Sequence, residues 1–183
     1  NWLSGYTRVM LMFREHFIGL TVASVQSGLP CGKVTGFVID PAKLAIALIV
    51  ITDPRGMYYL LPSDVRFFNH ERLIIDAEVK LSEHEDLLRH QEGIAMAFDP
   101  IGCKVVTESR KRLGKVVNYA IEDSDWLIGK LYVVSGLLGN PLQQEQMIDR
   151  VDVTNADKNR ITVRDLKSKV AKPLTIPLPK HTL

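Results

Sequence analysis

Cys31–Asp40 reads CGKVTGFVID, and Leu113–Glu122 reads LGKVVNYAIE. Both place Gly-Lys-Val ahead of an alternating apolar run and close on an acidic residue. The flanks agree as well. FIGLTVASVQSGLPCGKVTGFVID aligns with PIGCKVVTESRKRLGKVVNYAIED after a one-residue gap in the turn. Ile18-Gly19 then matches Ile101-Gly102, Val22 matches Val105, and Gly32-Lys33-Val34 matches Gly114-Lys115-Val116. Further along, LAIALIVI from Leu44 faces WLIGKLYVV from Trp126, and DVRFFNHERLIID from Asp64 faces RVDVTNADKNRITV from Arg150. A match over most of both halves marks an internal duplication.

Each half carries short apolar or alternating runs separated by turn signals. Thr21–Val25 alternates, then Gly28 and Pro30 turn the chain into Lys33–Ile39. Leu44–Ile51 follows, and Asp53-Pro54-Arg55-Gly56 predicts a hairpin into Met57–Leu61. Asn69-His70-Glu71 turns into Leu73–Lys80. Five or six such strands suit a small closed barrel, since closure removes the edges a short sheet leaves exposed. The expected fold is therefore all-β, with two tandem small barrels over 14–82 and 97–168. Between them, SEHEDLLRHQEG has a capping box at Ser82 and Glu85 and a stop at Gly93, which predicts a linker helix over 83–96. Residues 169–183 hold Pro173, Pro177 and Pro179 and are expected to form an extended basic tail. Gly32 and Gly114 are expected where the chain leaves a turn and re-enters the barrel, a site that favours a residue without Cβ, with the Lys outward and the Val inward.

The Ile-Gly start, the turn, Gly-Lys-Val and the hydrophobic strand ending in Asp or Glu resemble the PRC-barrel domain. That module occurs in the photosynthetic reaction-centre H subunit and in ribosome-maturation factors. The resemblance spans residues 14–82 and again 97–168. It implies a docking module without catalytic chemistry, and through the ribosome-maturation relatives it implies an RNA or ribosome partner as the alternative.

The chain has 183 residues, is 46% hydrophobic and 24% charged, and has a net charge of +2, as expected of a globular protein. Five cations, Arg164, Lys167, Lys169, Lys172 and Lys180, stand against Asp165 near the end, so the body is mildly acidic. That balance does not by itself define a nucleic-acid-binding body. No run reaches the roughly 18 apolar residues of a membrane span, so no stable membrane insertion is expected. The start lacks a secretory pattern, which leads to a cytoplasmic expectation. Cys31 and Cys103 sit at non-equivalent places and read as buried small apolar residues, not as a disulfide or zinc pair.

Several local patterns resemble chemistry and fail on spacing. Gly28–Val34 is one residue short of a P-loop, has Val34 where Ser or Thr is required, and leads into a strand. His84 and His90 on one helix face different ways, so Glu83–Glu92 reads as a solvated acidic face. Asn155–Asn159 lacks the glycine and closing Glu of a calcium loop and reads as a polar hairpin turn. His16, His70, His84, His90 and His181 fall in turns, linker or tail, and no nucleophile-base arrangement can be argued. No enzyme activity, metal or cofactor is expected.

Two surfaces remain. Leu44–Ile51 is apolar on both faces, so something beyond its own barrel must cover one of them. Ile46, Leu48, Ile49 and Ile51, together with Leu137, Leu138 and Leu142 of the loop SGLLGNPLQQEQ, are the expected contacts of a protein partner, the other barrel or a second copy. Burial by the N-terminal segment, with Met10, Met12 and Phe13, is the simpler way to cover the strand. The other surface is the basic turn Arg110-Lys111-Arg112 with Lys115, the expected RNA contact of the alternative reading. The favoured expectation is a non-catalytic protein-binding scaffold, with the RNA-associated factor second.

Overall fold

The strand-length runs become thirteen strands in the computed structural model, which describes residues 10–78, 81, 98–136 and 144–165. After β1 (Leu11–Phe13), the first half supplies β2 (Thr21–Ser24), β3 (Pro30–Asp40), β4 (Ala45–Asp53), β5 (Gly56–Leu60), β6 (Val65–Phe68) and β7 (Arg72–Ile75). The second supplies β8 (Lys104–Thr107), β9 (Arg112–Glu122), β10 (Ile128–Ser135), β11 (Gln144–Asp149), β12 (Val153–Asp157) and β13 (Arg160–Val163). The first sheet runs β5-β4-β3-β2-β7-β6 and the second β11-β10-β9-β8-β13-β12, the same path advanced by six strands. β2 pairs β7 in parallel, as β8 pairs β13.

Neither path closes into a barrel. β5 is not hydrogen-bonded to β6, nor β11 to β12. Each of these links is a three-residue 3₁₀ turn, Pro62–Asp64 or Arg150–Asp152, instead of a tight hairpin that would carry the ladder onward. Pro62 also has no N–H to donate. The predicted linker helix over 83–96 lies outside the described residues.

The repeated glycines sit where the sequence places them. Gly32 and Gly114 have φ of 139° and 144°. A Cβ on Gly114 would lie 2.2 Å from the Val134 carbonyl oxygen, and one on Gly32 would lie 2.9 Å from the Thr52 oxygen. Two strands thus cross at a separation only glycine permits. The following valines, Val34 and Val116, are buried, and Lys33 and Lys115 face out.

No residue of Leu44–Ile51 is exposed, and its start meets the other half, one of the expected covers, at Ala45 and Ile46. The β3–β4 register shifts between Val38/Ile39, with Val38 opposite Leu48 and Ile39 opposite Ile46, so Ala47 is left over. Such a bulge resets the alternation of a strand. Ile46, Ile49 and Ile51 therefore all enter the main core, while Leu48 joins Val38 and Tyr59 in a second cluster. All four expected partner-contact residues of this strand are buried, none more than 5% exposed. β1 of the N-terminal segment joins the other sheet, where Leu11, Met12 and Phe13 pair with Glu122, Ile121 and Ala120 of β9, and Met12 packs against the main core. β1 thus belongs to the second sheet although it precedes the first half in sequence.

The halves meet on an axis that relates equivalent positions. Ala45 forms an antiparallel bridge with Leu127, its own counterpart in the repeat. The Ile46 N–H donates to the Trp126 carbonyl at 2.8 Å, and the Ile128 N–H donates to the Leu44 carbonyl at 2.7 Å. Exchange of 44 with 126 and of 46 with 128 turns one bond into the other, as in an isologous two-fold contact. Leu44 and Trp126 hold φ of 49° and 59°, a left-handed conformation that costs a non-glycine residue about 1–2 kcal/mol. Burial offsets that cost: both are nearly inaccessible, and the Trp126 ring lies 5.3 Å from Phe17 and 5.6 Å from Phe68. One core cluster consequently runs through both halves. Arg14 strengthens the join, its guanidinium 5.8 Å above the ring of Tyr119. Burial raises the phenol pKa of Tyr119, with Asp99 adding to the effect and Arg14 opposing it.

Candidate anion-binding cleft

A cleft of about 640 Å³ opens in the second half, lined by β8, β9, the start of β13, the turn before β9 and the end of β10. Lys104, Arg110, Arg112, Lys115 and Arg160 line it, and among the described residues no Asp or Glu does. None of the five forms an ion pair among the described residues. Gly114, Ser135 and Gly136 bring backbone to the wall, and Val105, Val106 and Leu113 add apolar lining. Among the described residues no aromatic ring lines it.

Sheet register brings three of the cations together. Arg160 is the Cα partner of Lys104 across β13 and β8, and Lys104 is the Cα partner of Lys115 across β8 and β9. Residues directly opposite in a ladder point to the same face, so Arg160, Lys104 and Lys115 form a row across three neighbouring strands. Arg112 stands opposite Val106, further along the same two strands.

Arg110 is held on the other side by a braced turn. Its φ is 67°, and its N–H donates to the Thr107 carbonyl at 2.9 Å. The Lys111 N–H donates to Thr107 Oγ1 at 3.2 Å, and Thr107 Oγ1 lies 2.8 Å from Ser109 Oγ. Ser109 Oγ donates to Asp165 Oδ1 at 2.6 Å. These hydrogen bonds, from Ser109 first and Thr107 second, hold the Asp165 carboxyl below its ordinary pKa. Thr107 is itself buried, so the turn is anchored from beneath.

Of the expected RNA contacts, Arg110, Arg112 and Lys115 meet at this cleft, and Lys111 is exposed on the turn without lining it. Lys104 and Arg160 escape any reading of the basic turn, because β-ladder register and not sequence proximity places them there. Leu137, Leu138 and Leu142 lie outside the described residues, as do His84, His90 and the acidic stretch around them. Cys31 and Cys103 are both buried. Desolvation raises the pKa of both thiols, and the Asp99 charge pushes Cys103 further up. Among the described residues no group of three or more His, Cys, Asp and Glu side chains converges, and no helix is long and apolar enough to cross a membrane.

No family model matches the chain, and no curated protein matches it.

Proposed function

We propose that this protein is a non-catalytic binding module whose second half holds the phosphate backbone of RNA in the basic cleft. The observation that carries the reading is one concavity lined by five cations, free of carboxylates and of ion pairs among the described residues. Cations left without partners in a concave wall focus a positive potential on whatever enters. A concave site favours a chain that can enter it over a flat lipid surface. The lack of an aromatic platform argues for contact with phosphates and not with bases. Binding is therefore tolerant of sequence.

The PRC-barrel-like repeat motif supports a binding role, and its ribosome-maturation relatives favour RNA among anionic partners. The scaffold reading has lost its main described residues, since Ile46, Leu48, Ile49 and Ile51 are internal.

Fluorescence anisotropy with a labelled single-stranded 12-mer RNA, titrated across salt, tests the proposal. The logarithm of affinity should fall linearly with the logarithm of salt, with a slope of about −3.5 for five contacts to a single strand. Arg110→Ala with Arg112→Ala should flatten it by about 1.4. Binding that ignores salt, or that prefers an acidic peptide to RNA, would refute the RNA assignment.

A further inference from the structure

The row Arg160–Lys104–Lys115 places like charges directly opposite one another on adjacent strands. Like charges so placed destabilise a sheet. In the first half the same three ladder positions are Arg72, Thr21 and Lys33, and the neutral Thr21 in the middle avoids the clash. The second half has a lysine at that central position, and no carboxylate among the described residues forms an ion pair with any of the three. Among the described residues nothing compensates it.

Adjacent strands lie 4.7–4.9 Å apart, so the row is about 10 Å long. With the side chains extended perpendicular to the sheet, one phosphate cannot touch both ends. A linear chain of phosphates can, if it lies across the strands and not along them. We propose that Lys104 is the central residue of a three-cation track, that the ligand is a linear run of about three phosphates crossing β13, β8 and β9, and that the empty track is electrostatically frustrated, so that occupancy stabilises the fold. This rests on the cleft being an anion site, as in the function proposed above, and adds the direction of the ligand, its minimum charge count and the role of Lys104. A phosphodiester backbone and an inorganic polyphosphate share the required chemistry.

The test compares the full chain with Lys104→Thr, which installs the first-half residue, and with Lys104→Gln, which keeps most of the stem. Thermal unfolding is followed at low salt with and without sodium tripolyphosphate, and a labelled oligouridylate 12-mer is titrated in parallel. Without ligand, both variants should melt up to about 2–4 °C above the parent, and the gap should close near 1 M salt, where the screening length is about 3 Å. Tripolyphosphate should raise the melting temperature of the parent more than that of either variant, and orthophosphate should do much less. If both variants melt at or below the parent at low salt, the frustrated track is refuted. It is also refuted if tripolyphosphate stabilises all three proteins equally. If tripolyphosphate stabilises the parent selectively but the oligouridylate does not bind, the track stands and the RNA assignment falls.

Discussion

The two halves share a strand path, an axis contact and a Gly-Lys-Val crossing, yet only the second is basic at its rim. Aligned positions show how the difference arises. Lys104 stands where the first half has Thr21, Arg110 where it has Gly28, and Arg112 where it has Pro30. Ser135 replaces Asp53, whose carboxylate is bound by Arg55 at 2.7 Å. Lys115 and Arg160 keep their counterparts Lys33 and Arg72. The first half thus shows what the scaffold needs: two cations, a glycine in the left-handed position and a closed ion pair. What the second half adds serves no structural requirement visible in the first, and some of it costs stability. Gly28 adopts φ 69° freely, whereas Arg110 adopts 67° against its Cβ.

Substitutions at equivalent positions sharpen that contrast. The largest effect belongs to the crossing that both halves share. Gly114→Ala must push the Val134 carbonyl aside and should cost upwards of about 4 kcal/mol or prevent folding. Gly19→Ala, with nothing within 4 Å of the new Cβ, should cost only the left-handed penalty of about 1–2 kcal/mol. Urea midpoints at constant slope would measure both, and equal losses would show that the close approach is not what holds glycine there.

At the axis, Trp126→Ala should cost about 3–5 kcal/mol, as expected for a large buried ring. Because one core serves both halves, the transition should stay single, with tryptophan-independent probes such as far-UV dichroism and tyrosine fluorescence coincident. Two separated transitions would mean the halves fold independently.

Arg110→Gly should move stability and binding in opposite directions. Relief of the strained φ should stabilise by about 1 kcal/mol, while RNA affinity falls with the lost cation. Gly28→Arg, the converse change, should destabilise. Loss of stability in Arg110→Gly would show that the side chain supports the turn and is not kept for a ligand.

The smallest effect is a pH dependence. The Asp165 carboxyl has a folded pKa below its ordinary value, so it contributes stability that is fully present above about pH 3.9. That stability is lost as pH falls through the lower folded value. Asp165→Asn should therefore narrow the gap to the parent as the pH drops below about 4. A gap constant from pH 2 to 7 would place the effect of Asp165 outside the brace on Ser109.

Much of the scaffold was legible because it depends on local chemistry: the repeat, the strand runs, the outward lysines, the buried valines and the two crossing glycines. The parity of Leu44–Ile51 was not, since a bulge at Ala47 resets the alternation and no period-two reading detects it. Closure failed for a similar reason. Strand count suggests a barrel, but the 3₁₀ turns at Pro62–Asp64 and Arg150–Asp152 decide whether the end strands can pair. Three of the five cleft cations, Arg110, Arg112 and Lys115, could be read from the basic turn. Lys104 and Arg160 are joined to them only by ladder register, across 56 positions of sequence between the two strands. A signal for Lys104 did exist: in the repeat alignment it is a charge standing opposite a neutral threonine.

The central claim is that the second half alone carries an anion site. It is tested most directly by RNA anisotropy on two variants that each remove two cations from equivalent rims. One is Lys104→Thr with Arg110→Gly, and the other is Lys33→Ala with Arg72→Ala. The first should weaken binding by at least about tenfold, given the strength of charged hydrogen bonds, and the second should leave it unchanged. Equal losses from both would mean that RNA responds to overall charge, and the cleft would then have no special claim on it.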